Sequence, residues 1–307
     1  MLPSLSERFR GTLLGLACGD AVGTSVEFQP RDSFPPLTDM MGGGPFNLKP
    51  GQWTDDTSMA LCLAESLLIK NGFDATDQMT RYLDWWRNGY LSSTGECFDI
   101  GMTIRDALAR YQATGDPYAG SNDPYTAGNG SLMRLAPVVL YYFPDCERVR
   151  AFSASSSRTT HAAPEALECC QFFAELIRKA LQGAHKSDLR ILPETTFIEP
   201  RVAAIAQGEY LDKPRSAIHG SGYCIASLEA ALWCFHHTDN FKAAILEAAN
   251  LGDDADTTAA IVGQLAGAHY GVSDIPASWL ALLHSRENIE VYADQLLKAS
   301  TSPSSSG

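Results

Sequence analysis

Two short clusters of oxygen-bearing side chains lie far apart in the chain: Thr54-Asp55-Asp56-Thr57 near the front and Asp253-Asp254-Ala255-Asp256-Thr257-Thr258 near the back. Each sits directly before an apolar helical pattern. Carboxylate and hydroxyl oxygens at two helix starts, brought together by folding, would make an all-oxygen site for hard divalent cations such as Mg²⁺ or Mn²⁺. Helix capping competes with that reading, because Asp and Thr satisfy free N–H groups and complement the dipole. Adjacent carboxylates repel, however, and one cap does not require two. The rear cluster places three Asp in four positions, 253 to 256, more negative charge than a cap needs. Asp254 and Asp256 alternate, so in an extended turn they would point the same way.

Two other acidic motifs compete for the rear cluster. An EF-hand starting at Asp254 would need Gly at 259 and Glu at 265, whereas the chain has Ala259 and Leu265. The string Asp254-Ala255-Asp256-Thr257-Thr258 also matches the D-x-D-x-T of aspartyl-phosphate phosphatases. That motif belongs at the end of a buried strand early in an α/β domain. Here it follows a helical pattern over Ala243 to Ala249, close to the C-terminus, and a motif needs its structural context.

The elements that must carry these clusters read as helices. Leu5, Phe9, Leu13 and Leu16 recur at helical spacing. Gly11, Gly15, Ala17 and Gly19 make one face small enough for another helix to approach closely, and Gly19-Asp20 reads as a break. Residues 29–53, with Gly42-Gly43-Gly44-Pro45 and Pro50-Gly51, read as a long and therefore functional loop. Helices are expected over Ser58–Lys70 with Gly72 as a stop, Thr76–Arg87, Gly101–Tyr111, Ala163–Gln182, Ile225–His236, Asn240–Ala249, Thr257–Tyr270 and Val291–Ala299. Residues 116–130 and 183–200 read as irregular. Val138 to Phe143 favours strand by propensity but fits a buried helix equally well. Strand signals are otherwise few and no internal repeat stands out. The expected architecture is all-α: one compact domain of ten or more helices over residues 1–300, with a Ser/Pro-rich flexible tail over 301–307.

The chain has 307 residues, 45% hydrophobic and 19% charged, with a net charge of -13. That is globular composition. No basic stripe of the kind that binds nucleic acid is present. The longest apolar stretch, near Leu135 to Phe143, is far short of a membrane span, and the first residues lack a signal peptide's apolar core. Eight cysteines occur without a C-x-x-C pair and read as reduced thiols in apolar surroundings. A cytoplasmic protein, neither inserted in a membrane nor bound to nucleic acid, is expected.

Five stretches together resemble the ADP-ribosylglycohydrolase family, and within it the bacterial members of the dinitrogenase reductase-activating type. They are Gly15-Leu16-Ala17-Cys18-Gly19-Asp20-Ala21-Val22-Gly23 through Glu27-Phe28, Lys49 to Thr57, Ala127-Gly128-Asn129-Gly130-Ser131-Leu132-Met133-Arg134, Thr160-His161, and Gly252 to Thr258. They follow one another in the family's order over nearly the whole chain. The resemblance implies an all-α fold and two divalent cations, Mg²⁺ or Mn²⁺, with Thr54, Asp55, Asp56, Asp254, Asp256 and Thr257 as ligands. It places Glu27 beside the metals, where it can touch a cation or the reacting water.

Further candidates carry two readings each. Gly128-Asn129-Gly130-Ser131 is either an ordinary turn or a cradle of N–H groups for phosphate or ribose oxygens at a helix start. Ser221-Gly222-Tyr223 resembles the family's loop before a helix, where Tyr223 could stack on adenine or simply pack. His161 is either a ligand contact or a hydrogen-bonded structural histidine. Phe98-Asp99-Ile100-Gly101 resembles a stretch of the arginine-specific bacterial members, in which the Asp faces the guanidinium; the pairing suits a carboxylate. Capping of the following helix is the alternative for Asp99. The resemblance therefore implies an enzyme that removes ADP-ribose from modified arginine side chains of proteins, with catalytic roles for Glu27, Asp55, Asp99 and Asp256 and free ADP-ribose as product. The same fold could instead act on serine-linked, acetyl-ester or polymeric ADP-ribose, or serve as a non-catalytic ADP-ribose binder or structural protein.

Overall fold

The structure, a computed structural model, describes residues 2–192 and 196–301. The expected tail therefore lies outside the described residues apart from Thr301, which is helical. Thirteen α-helices make up the regular structure among the described residues, with isolated bridges and no strands. In chain order they are α1 (Leu5–Gly23), α2 (Asp55–Lys70), α3 (Ala75–Asn88), α4 (Met102–Thr114), α5 (Ala136–Tyr142), α6 (Cys146–Arg158), α7 (Pro164–Leu181), α8 (Pro200–Ala206), α9 (Cys224–His236), α10 (Phe241–Ala249), α11 (Ala255–Tyr270), α12 (Ala277–Leu282) and α13 (Arg286–Thr301).

The centre of the fold is an antiparallel pair, α1 and α11, each buried along nearly its whole length. Small residues four apart on both helices let the backbones touch: Gly11 meets Gly267, Gly15 meets Gly263, Gly19 meets Ala259 and Gly23 meets Ala255. A Cβ on Gly267 would stand 1.8 Å from the Gly11 carbonyl oxygen, so no larger residue fits. The contact row is 11-15-19-23, so Ala17 is not part of it. Nor does α1 break at Gly19-Asp20; it runs one further turn to Gly23, and the Thr24 amide closes it on the Asp20 carbonyl. A capping box starts α1, with Ser4 Oγ accepting from the Glu7 amide and Glu7 Oε2 accepting from the Ser4 amide at 2.8 Å.

Helices α2, α5, α7, α9, α10 and α13 pack around this pair over one large apolar core. A second, smaller core joins α2, α3 and α4 through Met59, Met79, Tyr82, Trp85, Ile104 and Leu108. It fixes α4 and hence the 98–101 segment before it. The long connection between α1 and α2 is pinned to the body. Trp53 is buried and its Nε1 donates to the His284 carbonyl at 3.1 Å, while Leu37 and the Asn250 amide exchange two hydrogen bonds of 2.7 and 3.0 Å.

Several element readings change. The 138–143 run is helical, as α5. Helices α6, α8 and α12 fall where no helix was expected, and α13 begins five residues ahead of the expected Val291. Helix α2 ends at Lys70 as expected, but its left-handed cap is Asn71 at φ 54°, one residue before Gly72. The clusters straddle their helix starts: Thr54, Asp253 and Asp254 come before α2 and α11, while Asp55 and Asp56 form the first turn of α2 and Asp256 that of α11. Within the expected irregular stretch 183–200, residues 193–195 lie outside the described residues. All eight cysteines are free, six of them buried, while Cys97 is half-buried and Cys146 exposed.

Candidate active site

The first turn of α2 meets the first turn of α11. Thr54 Oγ1 lies 3.2 Å from Asp256 Oδ2, and Thr257 Oγ1 donates to Asp56 Oδ1 at 3.3 Å. Front and rear clusters are thus in direct contact. Their approach comes from two helix N-termini facing each other, not from an extended turn.

Capping does not account for them. Neither Thr54 at the start of α2 nor Asp254 at the start of α11 makes a side-chain cap. Asp20, from the last turns of α1, does that work across the fold: Oδ1 accepts from the Thr54 amide at 2.8 Å and Oδ2 from the Thr57 amide at 3.0 Å. It also accepts from both hydroxyls, at 2.9 Å for Thr54 and 2.6 Å for Thr57. Asp55 and Asp56 are therefore left over for other chemistry. Asp99 does not cap α4 either; Gly101 is the cap residue and makes no side-chain bond.

Glu27 is brought in by a two-way backbone clamp. The Phe28 amide donates to the Asp253 carbonyl at 2.7 Å, and the Asp253 amide donates to the Gln29 carbonyl at 2.8 Å. Phe28, Asp99 and Asp253 all adopt positive φ, at 63°, 60° and 56°. For Phe28 this conformation costs about 1–2 kcal/mol, and the residue is nevertheless 64% exposed at the cavity mouth. Asp tolerates this conformation, so it is the bulky Phe28 that the surrounding fold must hold in place. Carboxylate oxygens of Glu27, Asp99 and Asp256 come within 4.8 Å of one another.

These groups open into a cavity of about 720 Å³. Glu27, Asp55, Asp99, Gly128, Asn129, Gly130, His161, Ser221, Gly222, Asp254 and Thr257 line it, while Thr54, Asp56 and Asp256 are buried and within hydrogen-bond reach of one another's cluster. Asn129 holds Asp254, its Nδ2 donating to Oδ2 at 2.7 Å. Ser131 is not among the lining residues; its Oγ lies 2.8 Å from Ser157 Oγ and accepts from Cys170 Sγ at 3.3 Å. The 128–131 loop is also not a helix start, since α5 begins only at Ala136. Tyr223 faces an adjoining cavity of about 810 Å³, which shares Thr103, Gly128 and Gly222 with the first. There its hydroxyl accepts from Arg201 Nη1 at 2.6 Å and donates to Glu165 Oε2. The structure adds Asp20, Phe28, Met133 and Asp253, for which no role was read from the sequence.

Seven carboxyl groups crowd this region: Asp20, Glu27, Asp55, Asp56, Asp99, Asp254 and Asp256. Among the described residues no lysine or arginine pairs with any of them. Burial pushes every one above the usual carboxylate range. Asp20 rises to about 6, and Asp99 to about 7 with further help from the charges of Asp254 and Asp20. Glu27 rises to about 10, through burial and then the charges of Asp99 and Asp254. Asp55, Asp56 and Asp256 are driven well up by burial and by one another's neighbours, and Asp254 is raised as well. Asp56 Oδ2 is buried with no hydrogen-bond partner. An orphaned buried acceptor amid unpaired carboxylates and hydroxyls is a donor set that fits hard divalent cations.

The sequence profile of the ADP-ribosylglycohydrolase family matches residues 1–305. The ADP-ribosylarginine hydrolase Tri1 of Serratia proteamaculans is 47% identical over 94% of this chain and 79% of its own length. The ADP-ribosyl-[dinitrogen reductase] glycohydrolase of Rhodospirillum rubrum is 32% identical over 94% of each chain. A solved structure titled ADP-ribosylglycohydrolase-related protein complex superposes with a TM-score of 0.87 at 46% identity, covering 97% of this chain and 99% of its own. The cleft therefore sits in a known architecture, and the chain belongs to the ADP-ribosylglycohydrolase family.

Proposed function

We propose that this protein hydrolyses the N-glycosidic bond joining ADP-ribose to an arginine side chain of a modified protein, releasing ADP-ribose. The observation that carries the reading is the contact of the two clusters, Thr54 with Asp256 and Thr257 with Asp56, beneath a cavity that also presents Glu27 and Asp99. The hydrolase names of the relatives support the choice of arginine. In this reading residues 1–300 act as one catalytic unit in the cytoplasm; no helix among the described residues is long and apolar enough to cross a membrane.

Thr54, Asp55, Asp56, Asp254, Asp256 and Thr257 would hold two divalent cations, Mg²⁺ or Mn²⁺. When bound, these supply Lewis acidity that acidifies a water and holds ribose hydroxyls. The chain's own groups do the rest. In the absence of cations, burial and then the charges of Asp99 and Asp254 hold Glu27 protonated. With the cations offsetting the charge of Asp55, Asp254 and Asp256, Glu27 at the cavity wall would be ionised and would take a proton from the attacking water at a carboxylate oxygen. Water oxygen joins the anomeric carbon while the carbon–nitrogen bond breaks, the electron pair leaving on the guanidine nitrogen. Asp99 meets the guanidine with paired charged hydrogen bonds and steadies it as it departs. Gly128, Asn129, Gly130, His161, Ser221 and Gly222 shape the wall that takes the ribose and diphosphate. Tyr223, in the adjoining cavity, would stack on adenine.

The decisive experiment incubates the purified protein with Mg²⁺ or Mn²⁺ and protein substrates ADP-ribosylated on arginine or on serine. Release from arginine, lost by about a hundredfold in kcat/KM in Asp99→Ala, is the expected result. No release from arginine rejects the reading, and equal arginine activity in Asp99→Ala removes Asp99 from it.

A further inference from the structure

Arg134 is completely buried, and among the described residues no carboxylate pairs with it. Its guanidinium lies over the Tyr82 ring, 4.7 Å from the centroid, and its Nη1 approaches Met59 Sδ at 3.8 Å. Its one strong hydrogen bond runs from Nη2 to Thr160 Oγ1, at 2.7 Å. The same Thr160 Oγ1 lies 2.8 Å from Nδ1 of His161, and Thr160 is itself wholly buried. The far edge of the imidazole faces the cavity across the glycine loop. A Cβ on Gly128 would stand 3.1 Å from His161 Nε2, and one on Gly130 would stand 2.7 Å from Cε1. Neither glycine has a left-handed φ, so what these positions require is room for the ring.

Along this chain one proton arrangement satisfies every group, since an Nδ1–H ring of either charge would leave the buried Thr160 hydroxyl proton without an acceptor. A guanidinium only donates, so Thr160 Oγ1 accepts from Arg134. The threonine hydroxyl has a single proton, and its other close partner is His161 Nδ1, so Nδ1 accepts it. A neutral imidazole whose Nδ1 is an acceptor carries its hydrogen on Nε2. The doubly protonated ring would turn Nδ1–H onto the threonine oxygen, strand the hydroxyl proton and set two buried cations in line. Burial first, and the Arg134 charge second, accordingly depress His161 to about 3.

We propose that Arg134 and Thr160 are positioning residues that lock His161 in its Nε2–H tautomer, so that a neutral, fixed donor points into the cavity at an anionic oxygen of the ligand. The inference rests on the function proposed above, which makes that oxygen part of the ADP-ribose diphosphate. It assigns roles to a buried cation and a buried hydroxyl that neither touch the ligand nor take part in the bond cleavage. A donor held this way keeps its proton throughout the physiological range, whereas a free histidine would change state within it.

Long-range ¹H–¹⁵N NMR of the ¹⁵N-labelled, Mg²⁺-loaded full chain reads the tautomer directly. His161 is expected to show a protonated Nε2 and an unprotonated Nδ1 from pH 6 to 8; a protonated Nδ1 overturns the proposal. Thr160→Val keeps the shape and removes the relay. It should mix the tautomers and weaken ADP-ribose binding by calorimetry about tenfold, with KM rising accordingly and kcat little changed. Thr160→Ser restores the hydroxyl and should recover both the tautomer and the affinity. Equal losses in Val and Ser variants, or an unaltered tautomer and affinity in Thr160→Val, overturn it. If Thr160→Val fails to fold, the NMR reading of the parent chain decides alone. A parent chain that shows the expected tautomer yet leaves arginine-linked ADP-ribose intact would reject the proposed function and spare the relay.

Discussion

Asp55 and Asp56 are neighbours in sequence with different surroundings. Asp55 lines the cavity, while Asp56 lies behind it, with one oxygen receiving the Thr257 hydroxyl and the other unpartnered. Asp256 joins the two halves, with Thr54 Oγ1 from the front 3.2 Å away and Glu27 and Asp99 beside it. Removing its carboxylate deletes donor atoms shared by the whole cluster, so Asp256→Ala should weaken Mn²⁺ binding by about a hundredfold or more in a calorimetric titration. Unchanged binding in that variant, or none in the parent chain, would remove the metal reading. That the two acidic clusters do more than cap was legible, because their surplus charge at a helix start exceeds what capping uses; the six proposed ligands came from the family resemblance. Asp20 was not legible, because its partners are the amides and hydroxyls of a helix distant in sequence, and a lone Asp inside an apolar helix carries no local sign of them. Ser131 shows the converse limit: the glycine-rich context says nothing of its hydroxyl, which is engaged with Ser157 and Cys170 across the fold.

At the scale of elements, the site depends on how closely α1 and α11 approach. These two helices deliver Asp20 and Asp256, and their spacing is set by glycines whose missing side chains leave room for the opposite carbonyls. Gly263→Ala places a Cβ 2.1 Å from the Gly15 carbonyl oxygen, which only a backbone shift can relieve. Such overpacking costs about 1–3 kcal/mol or more. The variant should melt several degrees lower, and because the shift separates Asp20 from the turn it caps, its Mn²⁺ affinity should fall too. A variant with parental melting temperature and affinity would show the close approach to be dispensable. The small-residue row was visible in sequence through Gly11, Gly15 and Gly19, though not its partner helix. Helix α6 escaped because its Ser-rich, polar surface leaves only a thin apolar stripe, with Val149 and a few serines buried. Helices α8 and α12, of 7 and 6 residues, are too short to show a period. The Val138–Phe143 run stayed ambiguous because α5 is buried on almost every side, which erases the alternation that separates helix from strand.

Across the whole molecule, a chain of net charge -13 concentrates seven carboxyl groups where water is scarce, and this sets how stability depends on pH. A carboxyl with a raised pKa in the folded state keeps its proton longer than in the unfolded chain. Its contribution is complete below the unfolded value near 4 and is lost as pH rises through the folded value: about 6 for Asp20, about 7 for Asp99 and about 10 for Glu27. Metal-free protein is thus progressively penalised from weakly acidic to basic pH. The buried histidines pull the other way. His161 and His236 are depressed to about 3 and His269 to about 4, so they destabilise the fold as pH falls through about 6.5. A plain melting curve against pH mixes the two signs. The difference between Mg²⁺-loaded and chelator-treated protein separates them, because the histidine contribution is common to both. Protons compete with the cation for the carboxylates at pH 6 and far less at pH 8. Ligand stabilisation grows with the ratio of metal concentration to dissociation constant, reaching about 2.7 kcal/mol at a hundredfold excess. At fixed Mg²⁺ the metal-induced rise in melting temperature should therefore be a few degrees larger at pH 8 than at pH 6. A rise that is the same at both, or larger at pH 6, would mean that the clustered carboxylates are not where the cation binds.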